Sequence, residues 1–176
     1  MFKVKIQVCG YSASGKSTFS KALAKYYNTP VLHLDTLHFG PNWEKIPDEE
    51  MNKKVDKFLK ENASWVIDGN YKKIAPNRFE ECDLLFYFDF NRFTCIRNAY
   101  RRFRKYKNTT RDDMAEGCDE TLDLEFITWI LFRSRTKQRK NYFKNLGKIY
   151  KDKFIVFKNH QEVDKYLEVL LKNQSK

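Results

Sequence analysis

The stretch that most constrains the fold is Gly10-Tyr11-Ser12-Ala13-Ser14-Gly15-Lys16-Ser17-Thr18, which matches the phosphate-binding pattern G-x-x-x-x-G-K-[ST] at every fixed position. Its glycines let the backbone curl so that successive N–H groups point inward and form a nest for anionic oxygens. In that pattern Lys16 bridges β and γ phosphates, Ser17 offers its hydroxyl to Mg2+, and the following helix aims its positive N-terminal end at the same place. The pattern needs a strand before it and a helix after it. Phe2 to Cys9 reads as the strand, and Phe19, Ala22, Leu23 and Tyr26 give the helical spacing. Residues 10–18 are therefore expected to bind a nucleoside triphosphate.

Asn28-Thr29-Pro30 ends the helix, and Val31-Leu32-His33-Leu34-Asp35 reads as a short strand ending in an acid. Ligands of open α/β sheets sit outside the strands' carboxyl ends. Asp35 is thus expected to orient an acceptor hydroxyl, take its proton or meet a magnesium-bound water; the plainer reading is a helix cap. Residues 36–47 form a loop whose aromatics either wall a pocket or cover the sheet edge. Asp48 is expected to cap a helix ending near Asn62, with Met51, Val55, Phe58 and Leu59 inward. Trp65 to Asp68 and the almost wholly apolar Leu84 to Asp89 read as buried parallel strands, with a short helix starting near Pro76 between them. Asp35, Asp68 and Asp89, each ending a strand beside the glycine loop, favour a magnesium–phosphate crevice.

From Asn91 the period turns helical, with Phe93, Ile96, Tyr100 and Phe103 as the apolar face and Arg97, Arg101 and Arg104 as a basic stripe. Arginine forks donate bidentately to phosphate, so the stripe is either a phosphate clamp or a solvated face. Residues 105–120 lack apolar periodicity and suit a lid over the transferring phosphate, with Arg111 foremost. A helix is expected from about Thr121 to Asn145, with Leu122, Phe126, Ile130 and Leu131 inward. Its basic run, 133–140, suits nucleic-acid contact, catalytic arginines or plain solvation. Phe154 to Phe157 is a fifth strand, Asn159 with Glu162 opens a last helix through a capping box, and Lys172 to Lys176 should fray.

A length of 176 residues with 41% hydrophobic content suits one domain over 1–176. The net charge of +11 attracts polyanions such as nucleotides. No apolar run approaches the about 20 residues of a membrane span, and no signal segment leads the chain, so a cytoplasmic protein without membrane partners is expected. Cys9, Cys82, Cys95 and Cys118 lie far apart and are expected to be reduced.

Five alternations of strand and helix call for a parallel sheet covered on both faces. The layout resembles nucleoside monophosphate kinases: Asp68-Gly69-Asn70-Tyr71-Lys72 looks like the adenylate kinase segment D-G-F-P-R, with the arginine absent. His33-Leu34-Asp35, Trp65 to Tyr71, and Thr110-Arg111-x-Asp113-Met114-Ala115-Glu116-Gly117-Cys118 resemble the bacterial topology modulation protein (FlaR-like) group of P-loop kinase-like proteins. The resemblance implies a three-layer α/β/α P-loop NTPase fold with a five-stranded parallel sheet, ATP as nucleotide, an acceptor-side insert at about 36–62 and a lid at about 105–120. It implies Lys16, Asp35, Arg97, Arg101 and Arg111 as catalytic residues and Ser17 and Asp68 as magnesium contacts. Asp35, Asn70, Tyr71 and Arg78 fall on the acceptor side. Neither Asp68 nor Asp89 is followed by the Glu with which many P-loop ATPases polarise water, and the N-K-x-D signature of GTPases is missing. The expected activity is phosphoryl transfer from MgATP to a small hydroxyl or phosphate acceptor. The competing expectation is a nucleic-acid-associated ATP-binding protein acting through residues 133–140.

Overall fold

The structure, a computed structural model, describes residues 3–174. The strands β1 (Lys5–Gly10), β2 (Val31–His33), β3 (Trp65–Asp68), β4 (Leu84–Phe88) and β5 (Phe154–Phe157) form one parallel sheet in the order β2-β3-β1-β4-β5. They are joined by α1 (Lys16–Tyr27), α2 (Asp35–His38), α3 (Asp48–Glu61), α4 (Arg78–Glu81), α5 (Arg92–Tyr106), α6 (Leu124–Leu131), α7 (Lys137–Ile149) and α8 (His160–Gln174). β1 is central, and its residues from Ile6 to Gly10 are all buried, as a strand covered on both faces requires.

Side chains alternate across a strand, so β4 shows where the helices lie. Phe86 and Phe88 meet Phe19 of α1 at ring-centroid distances of 5.0 and 5.3 Å, and Phe86 meets Tyr166 of α8 at 5.1 Å. Tyr87 points the opposite way and stacks on Phe143 of α7 at 4.4 Å. Helices therefore flank both faces, and the core is the two layers of side chains between them. The chain leaves β1 toward β2 on one side and leaves β3 toward β4 on the other. A crevice opens above strand ends at such a divergence.

Several expectations need correction. β2 stops at His33, and Asp35 begins α2, because the Leu34 N–H pairs with Asp68 O at 2.8 Å and the buried Leu34 turns the chain inward. β4 likewise ends before Asp89, so Asp68 alone of the three acids lies within a strand. In α5 the buried residues are Cys95 and Ala99, while Phe93 is 72% and Tyr100 52% exposed. Small side chains let this helix approach closely, and the larger aromatics cannot follow. The single helix expected over 121–145 is two. Asp123 caps α6 by accepting the Phe126 N–H at 2.7 Å, and Thr136 caps α7 after a 3-10 turn at Arg133–Arg135. Pro47, not Asp48, precedes α3 as its N-cap.

The capping-box-like start of α8 forms as expected, with Asn159 Oδ1 accepting the Glu162 N–H and Asn159 Nδ2 donating to Glu162 Oε1, both at 3.0 Å. All four cysteines are buried free thiols. Among the described residues no helix is long and apolar enough to cross a membrane. Phe2, expected to begin β1, and the tail residues Ser175 and Lys176 lie outside the described residues.

Candidate active site

The loop between β1 and α1 is held in a tight curl. Gly10, Ala13 and Gly15 have φ of 136°, 57° and 96°. A Cβ on Gly10 would stand 2.5 Å from Phe88 O, so the position excludes any side chain. Asn70 grips the same residue twice: its Oδ1 accepts the Gly10 N–H at 2.8 Å and its Nδ2 donates to Gly10 O at 2.9 Å. The Ser14 hydroxyl and Lys16 Nζ both donate to Tyr11 O, at 2.7 and 2.9 Å. From outside, Asn98 of α5 donates to Ala13 O at 3.0 Å and the Trp129 indole of α6 to Ser12 Oγ at 3.1 Å. The Arg135 guanidinium lies 3.6 Å from the Tyr11 ring centroid. The Phe19 N–H closes the first turn on Gly15 O at 3.1 Å. Amides ahead of that bond have no helical acceptor, and they carry the positive end of the helix dipole.

Ser12, Ala13, Gly15, Lys16, Ser17 and Thr18 face a cleft of about 1480 Å3, while Gly10, Tyr11 and Ser14 lie beneath its floor. Asp68 is buried at the cleft's edge; its Oδ2 is 3.1 Å from His33 Nδ1, and its Oδ1 has no hydrogen-bond partner among the described residues. An unpartnered carboxylate oxygen in this position fits the hydration shell of a hard cation, with the Ser17 hydroxyl across the same opening. Among the described residues no three His, Cys, Asp or Glu side chains converge on a metal position. Magnesium bound with phosphates typically keeps several waters and takes one or two carboxylates.

Asp113 is also buried. Burial works to raise its pKa, but the charge of Arg111 and the neighbouring Ser17 hydroxyl outweigh that and hold it below the ordinary carboxylate range. Arg111 Nη1 reaches both Asp113 oxygens at 2.7 Å, and its Nε donates to Glu120 at 2.8 Å; the other Glu120 oxygen takes Arg102 Nε at 2.8 Å. Lys21 of α1 pairs with Asp112 at 2.5 Å. On the far side, Asn42 N–H donates to Gly117 O at 3.2 Å and Cys118 Sγ donates to Gly40 O at 3.2 Å. Residues 107–121 thus form a strap spanning the cleft, tied at both ends.

The structure brings together Lys16, Ser17, Asp35, Asp68, Asn70, Tyr71, Arg101 and Arg111 around this cleft. The Tyr71 hydroxyl donates to Asp35 Oδ1 at 2.5 Å. Burial, followed by the Asp35 charge, pushes the Tyr71 pKa far up, so the phenol remains the donor. Arg97 is exposed and is not among the cleft residues. Arg78 corrects its assignment to the acceptor: it is fully buried, and its guanidinium donates to Gln7 Oε1 at 2.8 Å and to the carbonyls of Asn70, Tyr71, Ile74 and Ala75. Burial lowers its pKa to about 10, leaving it charged at neutral pH. It fastens the 70–75 turn from below. The basic run divides as well: Arg135 turns inward to Phe90 O and Ile130 O, while Arg133 and Arg139 face the cleft.

His33, Asn98, Arg102 and Glu120 are site residues that residue-by-residue reading left without a role. His33 stands two residues before Asp35 in sequence and Glu120 at the end of the polar excursion, but only the folded chain pairs them with Asp68 and Arg102.

Comparison with protein-family models finds no match, and comparison with curated proteins finds none. Among solved structures 196 chains match. One is an uncharacterised protein from Eubacterium ventriosum, 16% identical, with a TM-score of 0.54 and coverage of 97% of this chain and 98% of that one. At this identity the likeness concerns the fold, an α/β domain with a five-stranded parallel sheet.

Proposed function

We propose that this chain is an ATP-binding, P-loop kinase-like protein of the adenylate-kinase-like kind that transfers the γ-phosphoryl group of MgATP to a small hydroxyl or phosphate acceptor. Membership of the bacterial topology modulation protein group is part of the same proposal and rests on the sequence segments quoted above. One observation carries the reading: a curled glycine loop presents Lys16 and Ser17 to the same cleft as Asp35, Asp68, Arg101 and Arg111.

The loop amides and Lys16 would hold the phosphates. Ser17 directly, and Asp68 through water, would hold Mg2+, whose charge neutralises phosphate oxygens when bound. Catalysis of this kind is mostly positioning and charge stabilisation, with little covalent work for the protein. Arg101 supplies further positive charge, Arg111 stays paired with Asp113 and Glu120 in the strap and would act through its hold on that segment, and Asp35 stands on the acceptor side. The nucleic-acid reading finds less support, because Arg135 is spent on backbone carbonyls and so breaks the basic run.

The test is ADP release against a panel of nucleosides, nucleotides, sugars and small alcohols, with Lys16→Ala as control. We expect release that depends on an acceptor and is lost in Lys16→Ala, with an unchanged thermal midpoint. Acceptor-independent release, or turnover retained in Lys16→Ala, would count against the assignment.

A further inference from the structure

Resting on that reading, we infer that the acceptor is an uncharged hydroxylated ring, such as a nucleoside or sugar, rather than a phosphate-bearing molecule. Three features of the acceptor wall lead there. First, the segments that carry Asp35, Trp43 and Tyr71 bring no free arginine fork; the cleft's arginines, Arg101, Arg102, Arg111, Arg133 and Arg139, stand on α5, the strap and residues 133–139. A phosphomonoester is gripped best by a bidentate guanidinium, and Arg78, the one arginine of those segments, is buried beneath them with its donors already engaged by five protein oxygens. The wall's cations are the lysines Lys45, Lys72 and Lys73, all exposed.

Second, the wall is aromatic. His38 lies 4.7 Å from the Tyr71 ring and 4.6 Å from Phe39, and Phe39 lies 5.2 Å from Trp43. Trp43 has φ of 64° and is 39% exposed, and the preceding Asn42 has φ of 58°. A glycine at 43 would relieve the left-handed conformation but give up the ring contact with Phe39. The strain is imposed by the turn around it, with Gly40 N–H on Glu44 O at 2.7 Å and the strap's Gly117 on Asn42. What the chain gains is an indole face in the cleft, where flat rings and the C–H faces of sugars stack.

Third, a carboxylate stands ready for a hydroxyl. Asp35 is held by Tyr71 on one oxygen and is exposed to the cleft on its remaining surface. The acceptor oxygen bonds to the γ-phosphorus, the bond from that phosphorus to the β–γ bridging oxygen breaks, the hydroxyl proton passes to Asp35, and ADP leaves with the electron pair. Asp35 then returns the proton to solvent.

The experiment uses matched pairs: nucleosides with their 5′-monophosphates, and sugars with their sugar phosphates. MgATP uptake is followed separately by calorimetry. We expect at least one unphosphorylated member to exceed its phosphorylated partner about tenfold in kcat/KM. Trp43→Ala should raise the KM for that acceptor about tenfold with kcat and the KM for MgATP unchanged, and Trp43→Phe should restore most of it. Asp35→Asn should instead lower kcat about a hundredfold. Preference for the phosphorylated members, equal use of both, or normal MgATP uptake without turnover of any unphosphorylated member would overturn the inference while leaving nucleotide binding intact. Failure of MgATP uptake would strike the phosphoryl-transfer reading itself.

Discussion

Gly10 and Gly15 both take left-handed dihedrals, but for separable reasons. A methyl on Gly10 meets Phe88 backbone at 2.5 Å, whereas the nearest atom to one on Gly15 is His160 Cε1 at 3.7 Å. Gly10→Ala should therefore cost about 2–3 kcal/mol through clash and backbone strain. Gly15→Ala should cost about 1 kcal/mol, from its dihedral alone. Urea midpoints would separate them, and calorimetry should find Gly15→Ala the one that stays folded yet binds MgATP poorly. His38 supplies a pH prediction. Burial lowers its pKa below the usual 6.5, with Asp35 opposing and Lys45 assisting, and its Nδ1 has no partner among the described residues. As pH falls through the ordinary histidine value, the unfolded chain takes up a proton that the folded one refuses, so stability drops. His38→Gln should narrow the gap between thermal midpoints at pH 7.5 and pH 5.5; an unchanged gap would refute this.

The strap over 107–121 has no helix or strand of its own, yet the ion pairs at its base are nearly dry. Glu120 is 4% exposed and neutralises both Arg102 and Arg111. Removing Glu120 leaves Arg111 with Asp113 but Arg102, a quarter exposed, without a partner, so the loss falls below the about 3–5 kcal/mol of a broken fully buried pair. In Glu120→Gln we expect amide exchange to rise sharply over 107–121 while β1, β3 and β4 stay protected. Uniform change across the chain would mean that the strap is not a separate unit of stability. The break between α6 and α7 matters at the same scale. By halting the helix at Phe132 and restarting it at Thr136, the chain turns Arg135 onto Tyr11 beside the Trp129 contact with Ser12, so α6 and the 3-10 turn after it brace the glycine loop.

For the molecule as a whole, the charge of +11 creates a field that favours anionic ligands before contact. The lysines and arginines around the cleft add to it locally. The association rate of MgATP, measured by stopped flow, should fall severalfold between low and high salt as screening shortens the reach of these charges. The dissociation rate should change much less; equal changes in both would place the effect in the contacts and not in the field.

The strand and helix order, the glycine loop and its flanking elements were legible in the residues, because periodicity and backbone freedom are local properties. Loop residues such as Lys16 and Ser17 followed from the same local pattern. What tertiary structure alone decided was the company each side chain keeps. Arg78 looked like a ligand contact until its partners proved to be Gln7 and four carbonyls. In α5 Ile96 kept its place, but the fully buried positions are Cys95 and Ala99, because where this helix runs close to α6 small side chains fit and Phe93 and Tyr100 stay outside. Asp113, Glu120 and Arg102 became one network, and His33 reached Asp68, only where the folded chain met. Sequence spacing fixes which way a side chain leaves its own helix or strand. Which donor, acceptor or void it then meets depends on elements dozens of residues away, and that is settled only when the whole core closes.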